Sequence, residues 1–255
     1  MALEARAHTV ARASSAKQFF LALLDVILPP ICHICHSFIP NANALHICPT
    51  CRDLLPLVVS PLCSICGIPF IGAGGDHRCG ACLTHPPHFD TARAHFLYEG
   101  PIRDLIHSFK YNQRTHLGYP LALLSLEGVS ALSADHKPHL IIPVPLHRSR
   151  LRQRGFNQAV LLGRVLSRRL SLPMMMDALV RTRPTEPQIE LSAAERRVNV
   201  KGAFSVARPD HVAGKRILLL DDVMTTGSTM NECAKELKKA GAKMVIAVTI
   251  ARTAR

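Results

Sequence analysis

The sequence predicts an α/β protein: an open, mainly parallel sheet preceded by a small cysteine-rich module. Two observations carry this. Buried-strand runs alternate with helix-period segments after Pro86 and Pro87, and every paired cysteine lies before them. At 255 residues, 48% of them hydrophobic, the chain has room for a core domain of about 150 residues and a smaller unit. With no Trp and three Tyr, a surface built on rows of stacking rings is disfavoured. A formal charge of +13 points to polyanionic company such as phosphates, nucleic acid or acidic lipid.

Residues 1–29 read as an N-terminal helical segment. The apolar run "FFLALLDVIL", with Asp25 inside it, is too short for a hydrocarbon core about 30 Å thick. No small-residue cleavage site follows it. A short helix packed on the body is expected, in a cytoplasmic protein with no membrane span.

Residues 30–86 contain two copies of C-x2-C-x12-C-x2-C, the second displaced by 31 residues at all four positions. The first is Cys32, Cys35, Cys48 and Cys51; the second is Cys63, Cys66, Cys79 and Cys82. The opening "CHICH" fits a haem attachment site, but haem needs no second pair and "CSICG" has no histidine. A redox dithiol needs one pair, and disulfides are disfavoured in a reducing compartment. Four thiolates from two tight turns suit tetrahedral Zn²⁺, so two structural zinc ions are expected. Gly67, just after one pair, and Gly80, inside another, suit such turns. Consecutive and interleaved ligation both satisfy the spacing. His33, His36, His46 and His77 are bystanders beside complete cysteine sets. The ninth cysteine, Cys233, reads as a small packed residue in a helix.

Residues 87–255 supply the α/β domain. "RAHFLYE" (93–99) reads as a strand, followed by helical spacing at Ile102, Leu105, Ile106 and Phe109. "HLIIPVP" (139–145) is a buried strand ended by prolines, and "GFNQAVLLGRVLSRRL" a helix with Arg168 and Arg169 near its end. "RILLLDD" (216–222), a helix over 228–240 stopped at Gly241, and "KMVIAVTI" (243–250) form a right-handed parallel crossover. Such sheets carry their site at the carboxyl ends of the strands.

The most specific residues lie there, in "ILLLDDVMTTGST". A buried strand delivers Asp221 and Asp222 to the sheet edge, and a hydroxyl-rich loop leads into a helix. Free amides at the helix start, with Thr225, Thr226, Ser228 and Thr229, make an anion cradle that Gly227 lets a ligand approach. No Walker lysine follows, which disfavours a nucleoside triphosphatase. A ribose 5-phosphate fits: phosphate on the loop, hydroxyls on the acids.

This stretch resembles the signature of type I phosphoribosyltransferases: apolar run, two acids, three variable positions, then Ser/Thr-Gly-x-Thr. The resemblance implies that Asp221 and Asp222 contact the ribose of phosphoribosyl pyrophosphate (PRPP), as the candidate catalytic residues. It implies that Thr225, Thr226, Gly227, Ser228 and Thr229 hold the 5-phosphate, with Mg²⁺ arriving on the pyrophosphate. Together with "IPVPLHRSRLRQRGFNQA", "LSAAERRVNVKGAF" and the cysteine-rich front, the chain resembles the ComF family of competence proteins from about residue 24 to 252. That implies a double zinc ribbon before the phosphoribosyltransferase-like fold, a role in DNA uptake, and single-stranded DNA and other competence proteins as partners.

Arg148, Arg150, Arg152 and Arg154 recur at every second position after "PVP", and are read as a loop whose guanidinium groups take pyrophosphate or DNA phosphate. "SAAE" (192–195) is a capping box that starts a helix bearing Arg196 and Arg197, two further candidates for those phosphates. The preceding "RPTEPQIE" reads as a mobile loop over the site. Two functions fit: a ComF-type protein that binds PRPP–Mg²⁺ and single-stranded DNA, or an active phosphoribosyltransferase acting on a nucleobase-like acceptor.

Overall fold

The protein is described by a computed structural model covering residues 29–40, 45–72, 74–112, 114–185 and 192–254. The expected N-terminal helix and most of the "RPTEPQIE" loop lie outside the described residues. Four parallel strands form the central sheet in the order β1 (Thr91–Leu97), β6 (Met244–Arg252), β5 (Arg216–Met224), β2 (Leu140–Pro143). Its strands match the four sequence segments within three residues at each end. A two-stranded antiparallel ribbon, β3 (Leu179–Arg181) with β4 (Phe204–Val206), was not anticipated.

Successive strand residues point to opposite faces, and the core divides accordingly. Leu218, Leu220, Ile246 and Val248 pack with α3 (Gly100–Tyr111), α4 (Gly118–Leu124), α5 (Leu126–His136) and α7 (Gln158–Leu170). Ile217, Leu219, Val245 and Ala247 pack with α10 (Ser228–Lys239), Val200 of α8 (Ala193–Val200), Val212 of α9 (Pro209–Val212) and the β3–β4 ribbon. Burying each of the Ile, Leu and Val side chains among them stabilises by about 2 kcal/mol. Cys233 is fully buried in the second layer, as a packed residue. Among the described residues no single helix is long and apolar enough to cross a membrane; α4 and α5 qualify only as a pair bent by 58°.

The cysteine module repeats its backbone as well as its sequence. Cys32 N–H donates to Ser37 O and Cys63 N–H to Ile68 O, both at 2.8 Å. Ile39 N–H donates to Pro30 O and Phe70 N–H to Pro61 O, again at 2.8 Å. The short helices α1 (Pro49–Asp53) and α2 (Gly80–Thr84) each carry the last cysteine of a set. The module is fastened to the sheet. Leu97 N–H donates to Pro56 O at 2.8 Å and Val58 N–H to His95 O at 2.9 Å, so residues 56–58 cover the open edge of β1. Ala92 N–H donates to Ile65 O at 2.6 Å, and the Arg252 guanidinium donates to Cys66 O.

One position breaks the repeat. Gly67 has φ +69°, and a Cβ there would stand 2.5 Å from Ala92 O, so the close approach to β1 requires glycine. The equivalent residue in the first copy is His36, at φ 59°. A side chain in this left-handed region costs roughly 1 kcal/mol. His36→Gly is therefore expected to stabilise the zinc-loaded protein by about 1 kcal/mol, read as a midpoint rise of roughly 2–4 °C. A lower midpoint would show that the imidazole supplies a needed contact.

Candidate functional site

Each consecutive cysteine set converges to a point. The four Sγ atoms of Cys32, Cys35, Cys48 and Cys51 lie within 4.8 Å of one another, as do those of Cys63, Cys66, Cys79 and Cys82. This selects consecutive over interleaved ligation. The Cys35–Cys48 and Cys66–Cys79 sulfur pairs are both 3.8 Å apart. Zn–S bonds of about 2.3 Å in a tetrahedron place sulfurs about 3.8 Å apart, so the cages fit zinc. Backbone amides support the thiolates: Ile34 and Cys48 donate to Cys32 Sγ at 3.4 Å, and Cys66 and Cys79 to Cys63 Sγ at 3.4 and 3.3 Å. Against desolvation, which pushes the Cys63 thiol up, these amides bring it down to about 6. The histidines stay outside both cages: His77 stacks on Phe70 at 4.1 Å, and His33 lies against His46 and His116.

The second site is at the carboxyl end of β5. By strand alternation Asp222 leans toward the α3 layer and Asp221 toward the α10 layer. Asp222 Oδ1 accepts an ion pair from Lys110 Nζ at 2.9 Å, the two side chains being 6% and 17% exposed. Burial works against the Lys110 charge, yet Asp222 and then Asp221 hold its pKa above the ordinary value. Asp221 Oδ1 accepts from the Asp222 amide at 2.9 Å. Desolvation, with the neighbouring Asp222 charge, pushes its carboxyl up to about 7.

Beyond the acids the chain turns at Gly227, whose φ of +76° only glycine adopts without strain, and enters α10. Thr226 Oγ1 lies 2.7 Å from Ser228 Oγ and accepts the Ser228 amide at 3.4 Å. Thr225, Thr226 and Thr229 are half-buried around the helix start. Thr225, Thr226 and Gly227 thus form the expected loop, and it leads into a helix start at Ser228 with hydroxyls gathered on it.

The arginine segment is corrected. Residues Arg148–Arg154 form a seven-residue helix, α6, capped by His147 and closed by Gly155 at φ 81°. A two-residue step turns a helix by about 200°, so alternating arginines fall on two faces. Arg150 and Arg154 are half-buried beside each other, with Arg154 5.2 Å from the Tyr111 ring centroid. Arg148 and Arg152 are exposed on the other side. The Ser192–Glu195 capping box forms as expected, at 2.7 and 3.3 Å. Arg196, half-buried, and Arg197, exposed, ride on α8, which packs against α10.

Three site residues escaped the sequence reading. Lys110 closes α3, Arg181 sits on β3 within electrostatic reach of Asp221 and Arg150, and Thr249 pairs in register with Asp221. Only the "KY" that ends the α3 pattern offered a signal, a cation after an apolar stripe.

Residues 23–83 match the double zinc ribbon domain family and residues 157–255 the phosphoribosyl transferase domain family. The chain is 38% identical over 177 residues to competence protein F of Haemophilus influenzae, covering 68% of this chain and 77% of that one. DNA utilization protein YhgH of Escherichia coli K12 is likewise 38% identical over 177 residues, with the same coverage. Competence protein ComFC of Bacillus subtilis is 32% identical over 118 residues, 46% of each chain. Matched in both of its parts and aligned over 68% of its length with the Haemophilus influenzae and Escherichia coli relatives, the chain belongs to the ComF family of competence and DNA utilization proteins.

Proposed function

We propose that this protein binds PRPP–Mg²⁺ at the end of β5 and handles single-stranded DNA in the cytoplasm during DNA uptake. One observation supports the first part above all. Of the four buried side-chain polar atoms without a hydrogen-bond partner among the described residues, three belong to neighbours of Asp221: Asp222 Oδ2 next in the chain, Thr249 Oγ1 on its strand partner, and Arg181 Nε within electrostatic reach. Buried polar groups left unpaired cost roughly 1–3 kcal/mol each, and a ligand rich in hydroxyls and phosphate oxygens relieves them.

In this reading Asp221 and Asp222 accept from the ribose hydroxyls, while Thr225, Thr226, Gly227, Ser228 and Thr229 wrap the 5-phosphate. Arg150 and Arg154 face the pyrophosphate, with Lys110 steadying Asp222. Carboxylates beside a polyphosphate suit a hard cation, and Mg²⁺ supplies charge neutralisation of the pyrophosphate. The DNA part rests on the basic charge and on the relatives that bear competence and DNA utilization names.

The test is calorimetric titration of the zinc-loaded protein with PRPP–Mg²⁺, beside anisotropy with a labelled oligothymidylate at two salt concentrations. Saturable heat from PRPP–Mg²⁺ and strongly salt-weakened DNA binding are expected. No heat with PRPP–Mg²⁺ would remove the sugar-phosphate reading, and no DNA binding at low salt the other.

A further inference from the structure

Helix α6 has a second side. Between it and β3 opens a cavity of about 640 Å³. It is large enough for one nucleotide. Leu151, Val160, Met176 and Leu179 give it an apolar wall, Arg148 and Arg181 stand on its lining, and among the described residues no acidic one does. Leu151 is 41% and Met176 51% exposed, two large apolar side chains held at its mouth. Arg148 forms no ion pair with a described residue, and it projects from α6 on the side away from Arg150 and Arg154. Asn157 also lines the cavity, but its side chain is engaged: Nδ2 donates to Val144 O at 3.0 Å and Oδ1 accepts the Ala159 amide at 2.9 Å. The wall is therefore rigid where α7 begins.

An apolar wall beside the Arg148 guanidinium, which no described acid pairs, selects a ligand with a flat, weakly polar face and an anion attached to it. We propose that this groove seats one nucleotide of a DNA single strand. Its base lies against Leu151, Val160, Met176 and Leu179, and its phosphate on Arg148. The assignment rests on the DNA arm of the function proposed above. Aliphatic contact and guanidinium planes replace the aromatic platforms that the composition lacks, so binding tolerates any base sequence. Helix α6 then serves two anions at once, the sugar phosphate through Arg150 and Arg154 and the strand through Arg148. Arg181 stands on the wall between them.

Anisotropy with a short labelled oligothymidylate, at two salt concentrations, tests this with Leu151→Asp, Met176→Asp and Arg148→Ala. The two aspartate variants place a negative charge in the groove at exposed positions, where the fold tolerates them. Each is expected to weaken DNA binding by at least about tenfold while PRPP–Mg²⁺ heats stay at the wild-type value. Arg148→Ala is expected to lower the salt slope of DNA binding by about 0.7, one phosphate contact. Wild-type DNA affinity in both aspartate variants overturns the groove and leaves the wider DNA reading standing. Absence of DNA binding by the wild-type protein overturns both. Binding of thymidine 5′-monophosphate that Leu151→Asp abolishes, with strand affinity unchanged, overturns the strand in favour of a free nucleotide.

Discussion

Asp222→Asn is expected to destabilise the protein by about 3 kcal/mol, because it leaves the buried Lys110 ammonium without its counter-charge. Asp221→Asn is expected to do the opposite above neutral pH. The Asp221 carboxyl titrates at about 7 in the folded chain against an ordinary value of 3.8. Between those values the folded state holds a proton that the unfolded chain has released, so stability falls as pH rises from about 4 to 7 and is flat above. The amide removes that fall and is expected to add roughly 2 kcal/mol at pH 8, after discounting for solvent at the half-buried side chain. Both variants are expected to weaken PRPP–Mg²⁺ by at least about tenfold, since hydrogen bonds to a charged acceptor contribute about 1.5–3 kcal/mol. Denaturant melts at pH 5 and pH 8 with calorimetry on the same samples check this. Equal stability changes for the two variants would show that the two carboxylates do not differ in environment as the structure has them.

Stripping the zinc is expected to have the largest effect of all. Structural zinc contributes roughly 10–16 kcal/mol to small thiolate modules at neutral pH, comparable to or larger than the stability of a whole domain. The first zinc site is part of the main core, where Cys32, Ile39, Ile47, Cys51 and Leu55 cluster with Phe96, Ile102 and Phe109. A strong chelator should therefore lower the melting midpoint of the entire chain and expose the edge of β1 to proteolysis and aggregation. Cys35→Ser, at an exposed ligand position, should reproduce part of this. A chelated protein with its midpoint unchanged would mean that the sheet is stable without its metal module.

The sheet was legible because its strands are β-rich apolar runs between glycine and proline signals, and because two of them flank an obvious helix. The zinc cages were legible because four equal spacings repeated at one interval leave little freedom. Helices α4 and α5 were not. At seven residues α4 is too short to show a period, although Gly118, Pro120, Leu121 and Ala122 are buried, while α5 buries only Val129 and Leu132; packing against α7 and β1 holds them in place. The arginine segment misled for a related reason. Alternation by two looks like an exposed loop or strand, while the His147 cap and the Gly155 exit impose a helix that sorts the same residues onto two sides. Lys110 and Arg181 lie far from the motif in sequence and meet it only through the fold.

The two acids belong to different halves of the interior. Asp222 is anchored to α3 through Lys110, whereas Asp221 looks toward Arg181, Cys233 and the layer built on α10. A single small molecule gripping both would rivet those halves together across the sheet. Its arrival should be felt as slowed amide hydrogen exchange in α3 and α10 alike, including turns that no ligand atom can reach.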